Sequence, residues 1–199
     1  MAAIEFFYDF SSPYSYLAAT RIRDLALRTG AELRPRPFAL GAVFKALGTT
    51  LPASSPPRAT YMFRDVSAWA RDYGIPFQLP EVFPVNAIKA MRSVLAVPDA
   101  DASWNLALSI FKAYWGEGRD ISRPDVISEL VGAVGLNAAD VLAATERQDI
   151  KDTLRGNGEE ALARGAFGAP TIFVGEQMFV GNDRLPFVER AARGEQVYP

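Results

Sequence analysis

The strongest constraint in this 199-residue sequence is that its strand-forming segments sit at the two ends, with only helical periodicity between them. Ile4 to Phe10 is a short aromatic-rich run, long enough for a strand and too short for a helix, and interrupted by Glu5 and Asp9. Ser12 stands where a helix N-cap belongs and Pro13 at the first helical position. Leu17, Ala18, Ile22, Leu25 and Ala26 then carry a helical pattern to a stop at Gly30. Ala31 to Phe38 reads as a second strand, whose two prolines confine it to an edge or a brief ladder. Strand, helix, strand in this span is a βαβ unit, which implies a parallel pair. Near the other end, residues 171–174 and 177–180 flank Gly175-Glu176, a pair suited to a type II′ hairpin. Gly181-Asn182-Asp183 then turns into a helix from about Leu185 to Arg193.

Between these ends, residues 39 to about 57 read as a loop rich in Gly, Ser, Thr and Pro. Helices follow. Pro57 to Tyr73 carries Met62, Val66, Trp69 and Tyr73 on one face and stops at Gly74. Asn86 is placed to cap Ile88 to Val97, and Asp101 to cap a segment holding Trp104, Leu108, Phe111 and Trp115. Ser122-Arg123-Pro124-Asp125 has capping-box spacing, Asn137 opens another helix, and residues 150–164 a last one weakened by Gly156 and Gly158. A single sheet can use both ends only if the helical block is an insertion. The expected domains are therefore 1–45 with 165–199, and 46–164 between them.

Composition removes many chemistries. There is no cysteine and no histidine, so there is no disulfide, no thiolate nucleophile, no imidazole metal ligand and no Ser-His-Asp triad. No P-loop, GxGxxG, HExxH or EF-hand spacing occurs, and no metal site is expected. With 21 basic and 23 acidic residues the chain has no electrostatic footprint for nucleic acid or an anionic membrane. No apolar run approaches the ~18–20 residues needed to span a bilayer. The N-terminal segment lacks a basic region and carries acids, unlike a secretory signal, so a cytoplasmic location is expected.

Three places remain for chemistry, each with two readings. Ser12 either caps its helix or donates to an anion at the helix N-terminus. Gly168-Ala169-Pro170-Thr171 is either an ordinary strand entry or, if the bond before Pro170 is cis, a backbone ladder for a peptide-like ligand. Gly181-Asn182-Asp183-Arg184 is either a turn and helix cap, or a carboxylate and amides that meet a ligand's ammonium and carboxylate groups. Lys45 and Arg58, flanking the Pro-rich loop, are either solvated charges or cations for an anionic substrate. The aromatics Tyr14, Tyr16, Trp69, Trp104, Tyr114 and Trp115 read as core or pocket wall.

Taken together, the segments from Asp9 to Leu17, from Phe167 to Phe173 and from Gly181 to Leu185 resemble the DsbA-like thioredoxin-fold family. Within it they are similar to 2-hydroxychromene-2-carboxylate isomerases and kappa-class glutathione transferases. The likeness spans nearly the whole chain, including Tyr73-Gly74-Ile75-Pro76 and Tyr114-Trp115-Gly116-Glu117-Gly118. It implies an α/β thioredoxin-like fold with a large all-helical insertion. Ser12-Pro13-Tyr14-Ser15 takes the place of a Cys-x-x-Cys motif, and Pro170 falls on the family's cis-proline. The resemblance implies glutathione as the missing thiol, with Ser12 as the catalytic residue holding its sulfur as thiolate. Ala169, Pro170, Val180, Gly181, Asn182 and Asp183 would complete the glutathione site. Lys45, Thr49, Arg58, Phe83 and Asn86 would face a small aromatic carboxylate, although Thr49 stands where Asn is usual. The implied activity interconverts 2-hydroxychromene-2-carboxylate and trans-o-hydroxybenzylidenepyruvate through a transient glutathione adduct, in a homodimer. Two alternatives stand beside it: a kappa-like transferase conjugating small electrophiles, and a thioredoxin-fold binding module without catalysis.

Overall fold

The computed structural model describes residues 2–198. Both ends of the chain enter one sheet. Strands β1 (Ala3–Tyr8), β2 (Glu32–Pro37), β3 (Thr171–Val174) and β4 (Gln177–Val180) lie in the order β2-β1-β3-β4. β1 and β2 are parallel, with Ile4 opposite Leu33. β3 runs antiparallel to β1, with Ile172 opposite Phe6, and pairs antiparallel with β4. Pro35 and Pro37 are tolerated because β2 is an edge, where a missing N–H breaks no second ladder. Gly175 takes φ 58° at the first hairpin position while Glu176 has no positive φ, as a II′ turn requires.

Helix α1 (Pro13–Thr29) crosses from β1 to β2. Ser12 caps it by accepting from Ser15 N at 3.2 Å, and Gly30 ends it. The helical block follows with α3 (Pro56–Tyr73), α4 (Ile88–Leu95), α5 (Ala100–Phe111), α6 (Pro124–Ala133), α7 (Ala138–Ala144) and α8 (Gln148–Ala163). Before it lies α2 (Leu40–Ala46) and after it α9 (Leu185–Ala192). Among the described residues no helix is long and apolar enough to cross a membrane.

The sheet is covered on both faces. Ile4, Phe6 and Tyr8 point into one cluster with α1, α9 and the inserted α4, α5 and α6. Phe10 meets Phe111 at 4.6 Å between ring centroids and Phe6 meets Trp104 at 6.0 Å, so insertion and sheet share a core. Phe7 faces the other way, against Phe38, Phe173 and Ala161 of α8. Each fully buried aromatic adds on the order of 1.5–3 kcal/mol of transfer energy. On this second face Asn157 of α8 accepts from Arg36 Nε and donates to the Pro37 carbonyl, both at 2.9 Å. Glu5, Arg36, Glu160 and Arg164 form a partly buried ion network beside it.

Several local expectations need correction. Residues 40–46 form helix α2 rather than loop. Its N-cap residue, Ala39, has no side-chain acceptor, so no local signal marks its start. Asp99, not Asp101, caps α5 by accepting from Ala102 N at 2.8 Å, while Asp101 pairs with Arg23. No capping box forms at α6: Ser122 donates to Asp120 at 2.6 Å, and Asp125 pairs with Arg123. Asn86 accepts from Ile88 N at 3.2 Å from just outside α4, where Ala87 holds the cap position. The segment ending at Trp115 leaves the α-helical pattern at Lys112 and closes as a π-turn through Gly116. That turn buries Tyr114 and Trp115 together, a distortion often found beside functional sites.

Candidate active site

The site forms where the start of α1 meets the entry to β3. Ser12 is buried, and its hydroxyl donates to the Ala169 carbonyl at 2.7 Å. The Ala169–Pro170 bond is cis, and the Pro170 carbonyl accepts from Gly181 N at 3.0 Å, which ties the third motif to the second. Gly181 adopts φ 105°, and a Cβ there would stand 2.6 Å from Asp183 Oδ1, so only glycine fits this turn.

The residues just before Ser12 are fixed from two sides. Asp9 is only 4% exposed and receives Ser11 N, Ser11 Oγ and Leu40 N, each at 2.8 Å. Burial pushes its pKa up, and the hydrogen bonds from Ser11 and Leu40 oppose that shift. From the insertion, Trp115 Nε1 donates to the Phe10 carbonyl at 2.8 Å. Burial and its bond to Asp65 raise the Tyr14 pKa well above the usual value, and burial pushes Tyr16 up to about 12. Among the described residues no group of three or more acids could hold a metal ion.

Two adjoining cavities meet at Tyr14, Tyr61 and Gly181, and Ser12 lines the larger. The larger, about 570 Å³, has Ser11 and Ser12 at one side and Leu40, Phe44, Met62 and Phe83 as apolar wall. Arg58 is its only charged lining residue, and it makes no ion pair with the described residues. The smaller, about 350 Å³, shares Tyr14, Tyr61 and Gly181 with it and adds Asp65, Trp69, Asn182 and Asp183. One end of the combined space offers a cation among apolar side chains, and the other offers two carboxylates. Asn182 is 1% exposed, and its Nδ2 has no hydrogen-bond partner among the described residues. A buried amide donor in that state is costly unless a ligand satisfies it.

The expected site residues divide accordingly. Ser12, Arg58, Phe83, Ala169, Val180 and Gly181 line the larger cavity, and Asn182 and Asp183 the smaller. Pro170 is buried behind them. Lys45, Thr49 and Asn86 are exposed and line neither space. The helical turn of α2 aims Leu40 and Phe44 at the cavity, which leaves Lys45 on the outer side. Thr49 is held in the following turn by its N–H to the Phe44 carbonyl at 2.9 Å, and the Asn86 side chain is spent on Ile88. Reading the sequence missed Asp9, Ser11, Tyr61, Asp65 and Phe167. Tyr61, Asp65 and Trp69 recur every fourth residue, a stripe beside the Met62–Val66 core face that would have marked a second functional face of α3. Phe167 lies in the quoted motif, and at 57% exposed it lines the cavity mouth.

A helix N-terminus facing a cis-proline loop, with serines in place of thiols, defines a DsbA-like thioredoxin-domain protein. The DSBA-like thioredoxin domain profile matches residues 3–193. The chain is 31% identical to a 2-hydroxychromene-2-carboxylate isomerase of Sphingobium xenophagum over 188 residues, covering 94% of this chain and 95% of that one. It is 29% identical to glutathione S-transferase kappa 2 of Caenorhabditis elegans, over 93% of this chain and 89% of the relative. Among solved structures, a 2-hydroxychromene-2-carboxylate isomerase superposes with TM-score 0.85 at 28% identity, over 95% of this chain and 93% of that chain. The chain belongs to the 2-hydroxychromene-2-carboxylate isomerase family within the DsbA-like thioredoxin-fold proteins, and it is an isomerase-type enzyme.

Proposed function

We propose that this enzyme is a glutathione-dependent isomerase interconverting 2-hydroxychromene-2-carboxylate and trans-o-hydroxybenzylidenepyruvate in aromatic-hydrocarbon catabolism, acting in the cytoplasm as a homodimer. The observation that carries the reading is the Ser12 hydroxyl, at the N-terminus of α1 and bonded to the Ala169 carbonyl in the wall of the cavity. A hydroxyl and a helix N-terminus together stabilise an anion, and helix N-termini lower thiol pKa values. Bound glutathione would supply the thiolate nucleophile that a chain without cysteine lacks.

The site's residues fit that ligand. Ser12 turns its donor from Ala169 to the sulfur, and the freed Ala169 carbonyl accepts from a peptide N–H. Asp183, which also pairs with Arg184 at 2.8 Å, and Asp65 accept from an ammonium group. The unsatisfied Asn182 amide donates to a carboxylate, and Val180 and Gly181 form the floor. At the other end Arg58 holds the substrate carboxylate as a charge-assisted pair, and Phe83 with Phe44 and Met62 packs on the aryl ring. The apolar wall also excludes water from the bound ring. Similarity to the kappa class supports a second reading, in which the same site serves conjugation of small electrophiles.

Calorimetric titration with glutathione tests the common premise of both readings. Saturable binding is expected, weakened by Asp183→Asn; no saturation at millimolar ligand removes them both.

A further inference from the structure

We propose that Asp9 is a positioning residue that acts as a remote N-cap for α2, fixing the apolar wall of the cavity to the loop that carries Ser12. The substrate consequence rests on the isomerase reading; the tie itself rests on geometry alone.

Asp9 follows β1 directly, and its carboxylate is buried with three donors on it. Oδ1 receives the N–H and the hydroxyl of Ser11, while Oδ2 receives the N–H of Leu40, thirty-one residues further along. Its main-chain carbonyl receives Ser12 N at 3.0 Å. None of its partners is a cation. The titratable side chain facing it from the insertion is Tyr114, whose phenol is held neutral by burial and by the carboxylates of Asp120 and Asp9. A buried carboxylate of this kind stands only because its lone pairs are filled by fixed donors.

Those donors are not needed to start α1, which Ser12 already caps. What α2 needs is the carboxylate as acceptor for its first N–H. A helix of seven residues is too short to be stable alone, and Ala39 at its N-cap has no side-chain acceptor. The Asp9 carboxylate takes one of its orphan N–H groups from across the loop. The same helix presents Leu40 and Phe44 to the cavity that Ser11 and Ser12 also line. One carboxylate thus sets the spacing between the thiol-binding side and the aryl-binding side of the site.

Asp9→Asn separates this role from general stability, because asparagine keeps one acceptor oxygen for Ser11 but turns an N–H₂ donor toward the Leu40 N–H. Two readouts apply, hydrogen exchange and steady-state kinetics. In the wild type the Leu40 amide should exchange slowly, unlike an ordinary first-turn amide. In Asp9→Asn the amides of residues 40–46 should exchange roughly tenfold faster or more, with those of residues 16–26 unchanged. KM for the aromatic acid should rise by roughly tenfold while glutathione affinity stays within about twofold. Adding Ala39→Ser, a local cap, should recover part of both losses. A Leu40 amide that exchanges freely in the wild type overturns the tie, and needs no variant to fold. An active wild type with unchanged KM in Asp9→Asn overturns the consequence for substrate. If the wild type shows no turnover of the acid, the isomerase reading fails, and the exchange data alone decide the tie.

Discussion

The hydroxyl of Ser12 donates to the carbonyl oxygen of Ala169 at 2.7 Å, joining residues 157 apart in the chain. The bond ties the first third of the sequence to the last. It also satisfies the Ser12 hydroxyl donor.

Ser12→Ala removes that donor and the helix cap together. The lost cap costs about 1 kcal/mol of stability. Turnover should fall much further, by roughly a hundredfold, as when an anion-stabilising donor is lost. Denaturation midpoints and kcat on the same preparation separate the two effects, and equal turnover would remove Ser12 from the chemistry.

Among the described residues, Arg58 is the one charged group in the wall of the larger cavity. Arg58→Met keeps the side chain's bulk and should raise KM for the aromatic acid by roughly tenfold or more, since a charge-assisted bond contributes about 1.5–3 kcal/mol. Lys45→Ala should stay within about twofold, because Lys45 lies on the outer side of α2. The reverse ranking would place the substrate carboxylate elsewhere.

Asp65 and Asp183 face the smaller cavity from α3 and from the turn after β4. Asp65→Asn should weaken glutathione binding while leaving the binding of an aryl carboxylate analogue unchanged. Asp65 also accepts from the Tyr14 hydroxyl at 2.9 Å, a bond that asparagine can keep. Titration calorimetry with the two ligands separately reads the difference.

Away from the site, Glu189 of α9 accepts from Arg28 and Arg193, whose hydrogen bonds lower its pKa from 4.5 to about 2. A depressed carboxylate pKa stabilises the fold above the unfolded value, and that contribution is lost as pH falls from about 4.5 to about 2. Glu189→Gln should therefore flatten the acid limb of Tm against pH in that window, and leave little difference between the proteins at its lower end. The effect should shrink in high salt, because these side chains are partly exposed.

The parts of the fold that could be read from sequence are those encoded locally. Ser12, Pro13 and Gly30 mark α1 at both ends, and the prolines of β2 place it at an edge. Helix α2 was not legible because its cap is Asp9, a non-local partner. Asp99 and Asp101 lie two residues apart, and only the backbone course decides which one reaches an amide. At the site, the resemblance led to residues in all three motif segments. The cavity walls are less visible because α3 carries two faces, one packed in the core and one of Tyr61, Asp65 and Trp69 that lines the smaller cavity. Charge alone points to Lys45, but the direction of a side chain on a short helix follows from packing rather than from sequence.

On the proposed reading this chain borrows its thiol from glutathione. The most direct test follows the absorbance of 2-hydroxychromene-2-carboxylate with purified enzyme, with and without glutathione. Conversion to trans-o-hydroxybenzylidenepyruvate that requires glutathione, leaves its concentration unchanged and is largely lost in Ser12→Ala is the predicted result. Equal conversion without glutathione, or consumption of glutathione in step with the substrate, would contradict it.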